Sequence, residues 1–234
     1  ATPGVVIPLY CRERGKAAGM SAKPYVVAVD GGSYFHRRTL SEAPFAPYFS
    51  DTVYAPELAT RRDWMAADCL VVPSRQDVVW LEAARDAIET FLALGKTVVS
   101  LGETGAQAWL PGAVWYPTEV NFWWWLTPGA DSGLHLVAPE HPLFRYITLA
   151  DATWHQHGYF DLPPGAVSLI ERAAGGCILY EDRHTTAGRI IATTLDPCYH
   201  HGSHFMPATT RFLTGFLPWL HDTLAEQTTQ RTEA

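Results

Sequence analysis

The sequence predicts an α/β fold built on a mostly parallel, doubly wound sheet, with extra antiparallel strands in its second half. Three observations predict it. In the first half, short and continuously apolar runs alternate with helical stretches, the pattern of strands buried on both faces by crossover helices. One of these runs ends in a tight glycine-bracketed turn within residues 95–112, GKTVVSLGETGAQAWLPG, where strand, sharp turn and helix start follow one another as in a nucleophile elbow. In the second half the strand-like runs follow one another through hairpin-like turns before a closing helix.

The elements are justified in order. Residues 5–10 read as an edge strand and 12–23, charged and glycine-containing, as a loop. YVVAV (25–29) is a buried strand ending in Asp30-Gly31-Gly32-Ser33, a carboxylate and glycines where an open sheet presents its ligand loops. Residues 36–49 hold a short helix interrupted by Pro44 and Pro47; 52–54 is a strand and 58–67 a short helix. CLVV (69–72) is another buried strand. Residues 78–94 form one helix, with Leu81, Ala84, Ile88, Phe91 and Leu92 as its inward stripe, Asp77 as N-cap and Gly95 as stop. After the strand 97–101 and its turn, strands are expected over 114–126, 134–137, 166–170, 177–180 and 189–194. His155 and His157 lie in a strand-like segment, 152–160. Residues 207–224 form a closing helix, with Pro218 inside it and a frayed tail beyond Glu226.

The chain has 234 residues, read as one domain over 1–226 and a flexible tail over 227–234. With 47% hydrophobic and 18% charged residues, a sizeable core is within reach. The net charge of −7 and the lack of a basic stripe argue against a nucleic-acid partner. No apolar stretch approaches the roughly 18 residues of a membrane span, and no signal peptide is visible, so no membrane partner and a cytoplasmic location are expected. Cys11, Cys69, Cys177 and Cys198 form no CxxC pair and read as buried, reduced thiols; whether Cys11 and Cys198 meet stays open. Strand alternation would turn Trp124 to the opposite face from Trp123 and Trp125, so both faces need cover, by core, ligand or another copy of the chain; a homo-oligomer is expected.

Histidines cluster in the second half. His155 and His157 are two apart; His200, His201 and His204 share one loop after the last strand. Converging with Asp151, Asp196 or Glu103, such imidazoles could bind a divalent metal of the zinc, nickel or iron type, with His155, His157, His200 and His204 as candidate ligands. They could equally serve as general acid and base, or be separate loop residues bonded to backbone and solvent. Glu103 either points into the cleft or, with Thr104, caps a helix start. Asp30, Ser33, His36 and Arg37 are either a ligand loop or ordinary turn residues. Trp115, Tyr116, Trp154 and the 122–125 run could stack on a sugar ring, build an interface or fill the core.

Four stretches in order carry a family resemblance: the helix–Gly95–strand–Gly102 segment; Glu140-His141-Pro142-Leu143; DATWHQHGY over 151–159; and GRIIATTL over 188–195, followed by a histidine-bearing loop and a terminal helix. Together they resemble the trehalose-utilisation (ThuA-like) family of the class I glutamine amidotransferase-like superfamily. The resemblance implies a flavodoxin-like, three-layer sandwich. It also implies a small polar ligand, a sugar or sugar derivative, bound above the carboxyl ends of the parallel strands, and places residues 155–157 over that edge. In amidotransferase-like folds the central turn holds a reactive cysteine, and in the family a histidine usually ends the central strand; here the turn reads Gly102-Glu103-Thr104-Gly105. The expected catalytic residues are therefore Glu103, His155, His157 and His200, with Asp30, Ser33, His36, Trp124, Trp154 and His201 contacting substrate, in a hydrolase or lyase. The alternative is a non-catalytic ligand-binding or oligomer-assembly module. Cysteine-dependent glutaminase chemistry is rejected, since no cysteine occupies the turn.

Overall fold

Alternation along single strands explains the architecture. A computed structural model describes residues 23–119 and 126–233; the expected strand at 5–10, Cys11, and the Trp123–Trp125 run with its substrate-binding Trp124 and interface role lie outside the described residues. Within them the strands are β1 (Val26–Asp30), β2 (Asp51–Tyr54), β3 (Cys69–Pro73), β4 (Thr97–Leu101), β5 (Val114–Pro117), β6 (Leu134–Leu136), β7 (Gly158–Asp161), β8 (Val167–Arg172), β9 (Cys177–Asp182) and β10 (Arg189–Thr193). The helices are α1 (Tyr34–Ser41), α2 (Val78–Ala83), α3 (Arg85–Ala93), α4 (Pro197–Gly202) and α5 (Pro207–Glu233).

Successive side chains of a strand point to opposite faces. In β1, Val26 and Ala28 enter one core with Leu40 of α1, Cys198 of α4 and Phe212, Leu213, Phe216 and Leu220 of α5. Val27 and Val29 enter the other core, with Leu81 of α2 and Ile88, Phe91 and Leu92 of α3. β3 divides the same way, Cys69 and Val71 against Leu70 and Val72. Helices therefore cover both faces, giving three layers.

The sheet runs β2-β1-β3-β4-β10-β9-β7-β5, with β8 on β9 and β6 on β8. The pairs β1/β2, β1/β3, β3/β4 and β4/β10 are parallel. β10/β9, β8/β9, β6/β8 and β5/β7 are antiparallel. The predicted parallel neighbourhood of the first, third and fourth strands and the predicted hairpin across residues 173–176 are both present. No helix of the described residues is long and apolar enough to cross a membrane.

Four elements differ from expectation. The helix expected over 58–67 is replaced by 3-10 turns at Ala55–Glu57 and Asp63–Ala66. The buried Trp64 indole N–H donates to the carbonyls of Leu58 and Arg61, both at 3.0 Å, and takes up acceptors that a continuing helix would use. The helix expected over 78–94 breaks at Ala84, whose N–H is shared among the carbonyls of Trp80, Leu81 and Glu82 in a tightened turn; Asp77 caps Val79 at 3.1 Å as expected. His155 and His157 precede β7 in a loop rather than lying on a strand. The closing helix continues to Glu233, because neither glycine nor proline follows Pro218 to interrupt it.

A buried ion pair ties the antiparallel half to α5. Arg189 Nη2 donates to Glu181 Oε2 at 2.8 Å and Nη1 to Thr223 Oγ1 at 2.9 Å, while the guanidinium lies 5.0 Å from the Trp219 ring centroid. Burial alone would raise the Glu181 carboxyl pKa, but hydrogen bonds from His141 and Arg189 and the Arg189 charge outweigh it and hold the group well below the usual carboxylate range. Removing one partner of such a pair strands the other charge. Glu181→Ala should lower unfolding free energy by roughly 3–5 kcal/mol in urea melts, whereas a loss under about 1 kcal/mol would show that the pair carries no such stake. Because the Glu181 pKa is depressed in the fold, its stabilising contribution is present above the unfolded carboxyl value near 4.5 and is lost as pH falls below it; the variant should lack that acid-side slope.

Candidate functional site

Parallel strands bring their carboxyl ends to one edge, so the residues that follow β1, β3, β4 and β10 meet there. Gly102 sets how closely. It has φ +85°, and a Cβ on it would stand 2.6 Å from the Asp196 Cβ and 2.7 Å from the Ser74 Cβ. Its N–H donates to the Thr193 carbonyl at 2.8 Å. With no side chain at 102, the exits of β3, β4 and β10 press together and place Arg75, Glu103 and Asp196 side by side.

Asp196, 2% exposed, is the inner anchor. Pro197 behind it opens α4 with a ring already set for a helix start. The carboxylate accepts from the Trp154 indole N–H at 3.2 Å, and His200 Nε2, one helical turn on, lies 3.2 Å from the same oxygen. Arg75 Nη2 stands 3.9 Å from the other oxygen, its guanidinium 4.5 Å from the Tyr199 ring centroid. Arg75 has φ +64°, in the left-handed region that a side chain adopts at a cost, and its N–H reaches the Glu103 carbonyl at 3.4 Å.

From Asp196 the titratable groups run outward in single file. The His200 ring centroid lies 4.8 Å from that of His155, and His155 lies 5.1 Å from His157, both edge to face. His157 Nδ1 is 3.9 Å from Glu103 Oε2. Side-chain exposure rises from 2% at Asp196 and 3% at His200 to 15% at His157 and 34% at Glu103, so the file leads from the interior to the surface. Burial, helped by the neighbouring His200, His157 and Arg75 and opposed by Asp196, pushes the His155 pKa down to about 4. The middle of the file is therefore a neutral imidazole at neutral pH.

The four residues expected to be catalytic are thus brought together. Those expected to contact substrate mostly serve elsewhere. Asp30 accepts from the Gly32 N–H at 2.8 Å in its own turn, and Ser33 caps α1. His36 is a buried tie: Nδ1 accepts from the Gly31 N–H at 3.0 Å, so Nε2 carries the proton and donates to the Ser74 carbonyl at 2.8 Å, joining the exits of β1 and β3. Trp154, 2% exposed, is a prop for Asp196 packed on Phe212 rather than an open stacking face. His201 faces away from the file, 2.8 Å from Thr210 Oγ1 and against Phe45; the exposed His204 shares that side. Asp151 forms a capping box with Thr148 and pairs with Arg211 at 2.9 Å. Thr104 lies under the turn, 2.9 Å from Ser100 Oγ, and a small cavity of about 90 Å³ sits beside it, lined in part by Glu103, Trp115 and Phe160. Among the described residues no group of three or more His, Cys, Asp or Glu is arranged to hold a metal ion. Sequence reasoning passed over Arg75 altogether and gave Asp196 no role of its own; their one signal is the place each holds just after a buried strand run.

Of the cysteines, Cys69, Cys177 and Cys198 are buried free thiols, and burial raises all three, Cys177 to about 11 and Cys198 to about 12. None is primed as a thiolate.

The fold is that of the class I glutamine amidotransferases. The chain aligns with a glutamine amidotransferase from Thermotoga maritima at TM-score 0.57 and 13% identity, over 88% of this chain and 99% of that one. It aligns with a candidate GMP synthase component from Thermoplasma acidophilum at TM-score 0.55 and 11% identity, over 91% and 99% of the two chains. No protein-family model and no curated protein matches the sequence.

The depressed His155 pKa carries a sign. Below 6.5 the unfolded imidazole gains a proton that the folded one refuses, so His155 lowers stability progressively as pH falls from 6.5 toward about 4 and leaves it unaffected above. In NMR titrations the His155 ring should stay neutral through that window, and His155→Gln should flatten the stability slope there. A ring that titrates near 6.5 would contradict the buried placement.

Proposed function

We propose that this chain is a ThuA-like enzyme of the amidotransferase fold that acts on a small polar substrate, a sugar or sugar derivative, by acid–base chemistry of the hydrolase or lyase type. One observation carries the reading: the file Asp196–His200–His155–His157–Glu103, graded from buried to exposed, at the strand edge where open α/β sheets bind ligands. Glu103, the most exposed member, is the general base that takes a proton from a substrate hydroxyl or from water. His157 beside it returns a proton to the departing group. Asp196 Oδ1 lies 3.2 Å from His200 Nε2 at the inner end of the file, and neutral His155 stands between the two ends. The edge-to-face rings and the spread of the carboxylates favour this over metal-assisted chemistry, for which His155, His157 and His200 remain the ligands to test, while His204, on the far side of α4 with His201, is out of place for that set.

The same four sequence stretches support the sugar-type substrate, through the family they resemble. A second reading, a ligand-binding module without turnover, is favoured by the size of the cavity beside Glu103: about 90 Å³ is well below the roughly 300–1,000 Å³ of an ordinary small-molecule site.

Turnover against a panel of small sugars, sugar acids and their lactones separates the two readings. Glu103→Gln should cost about 10²–10⁴-fold in kcat with little change in melting temperature, as loss of a general base does. Full activity in that variant would sink the assignment of Glu103. Binding without turnover in the unmodified protein would favour the module. Elemental analysis of the purified protein and of His200→Ala addresses the metal: content that falls with the histidine would replace the metal-free scheme.

A further inference from the structure

Behind α4, on the side away from Glu103, the chain gathers cations around an opening. A cavity of about 460 Å³ is lined by Arg38 of α1, His201 of α4, Arg211 of α5, His204 and the apolar Phe205 and Met206. No acidic side chain lines it, although the chain as a whole carries a net charge of −7. Arg211 is balanced by Asp151 at 2.9 Å, which stands outside the lining. Arg38 is not balanced: among the described residues it has no ion pair, and its Nε is buried without a hydrogen-bond partner. A guanidinium on a cavity wall with no carboxylate beside it is a ready partner for an anion. Pro207, at the first position of the 27-residue α5, also lines the cavity, so the positive end of that helix dipole faces the same space.

A second cavity of about 550 Å³ shares His204, Phe205, Met206 and Arg211 and adds Trp154 and Ala208, making a largely apolar extension. Phe205, 52% exposed, stands between the two, held by left-handed backbone at His204 (φ +57°) and Met206 (φ +62°).

We propose that these joined cavities form a binding site for a small organic anion, a carboxylate or phosphate monoester whose charged group meets Arg38 and whose aromatic or alkyl body lies along Phe205 and Met206. The planar fork of arginine suits both oxyanions, and the adjoining apolar walls select a body over a bare ion. The site is separate from the Glu103 mouth and independent of the function proposed above, yet adjacent to its interior. The Phe205 ring lies 5.5 Å from that of His200, and Trp154 touches both the second cavity and Asp196.

Isothermal titration with benzoate and phenyl phosphate, at constant ionic strength set by chloride, tests it. Saturable 1:1 binding is expected. Arg38→Gln should weaken it about 10–100-fold, the worth of a charged hydrogen bond, and Arg211→Gln should weaken it as well. Arg37→Gln removes the same charge from the exposed neighbouring position and should leave binding within about twofold of the unmodified protein. Absence of saturable binding to the unmodified protein, equal loss in the Arg37 and Arg38 variants, or equal affinity for neutral benzyl alcohol would each overturn the proposal. Inorganic phosphate run alongside separates a site for bare phosphate, which would bind it as tightly as phenyl phosphate and overturn the need for an apolar body. Circular dichroism of each variant establishes that a loss of binding is not a loss of fold.

Discussion

The absence of one Cβ, at Gly102, is the constraint on which the candidate site depends. The edge of a parallel sheet is ordinarily splayed by the side chains of its turns. Here Asp196 and Ser74 occupy the space that a side chain at 102 would need, at 2.6 and 2.7 Å. That closeness lets a carboxylate from the last strand, a cation from the third and a carboxylate from the fourth share one neighbourhood. The alternating, continuously apolar strands supply the rigid floor beneath it.

α4 then divides the interior. Adjacent positions on a helix point about 100° apart, so His200 turns toward Asp196 and His155 while His201 turns toward Thr210 and Phe45. Gly202 permits this short helix to lie on α1: a Cβ there would meet the Phe35 carbonyl oxygen at 2.3 Å. Two neighbouring imidazoles thus stand in two compartments, one inside the histidine file and one beside the cationic cavity.

Much of the fold was legible because its signals are local. The apolar runs at β1, β3 and β4 and the glycine pair at the β8–β9 turn carry their structure in a few adjacent residues. The convergence of Glu103, His155, His157 and His200 was legible from topology and from the family resemblance. The remainder was not, for physical reasons. The break at Ala84 and the loss of helix at 58–67 come from hydrogen bonds that only the folded geometry selects, such as the indole of Trp64 reaching back to Leu58. Arg75 belongs to the site through contacts with Asp196 and Tyr199, more than 120 positions away, and no periodicity marks it. His36, Trp154 and His201 are residue types that suit a ligand as well as they suit a buried tie, a prop or a helix contact, and composition cannot choose between these uses.

The strand order has a consequence for how the chain is made. β10, the last strand in sequence, lies at the centre of the sheet between β4 and β9. On a ribosome, β4 emerges with one edge unpaired and waits while the intervening residues up to Arg189 are added, a delay of several seconds at about 5–20 residues per second. During that interval the apolar half-sheet has an open flank, and the faces later covered by α5 are bare. Insertion of a late strand beside a half already made leaves the nascent first half as the stage at which a chaperone has most to shield.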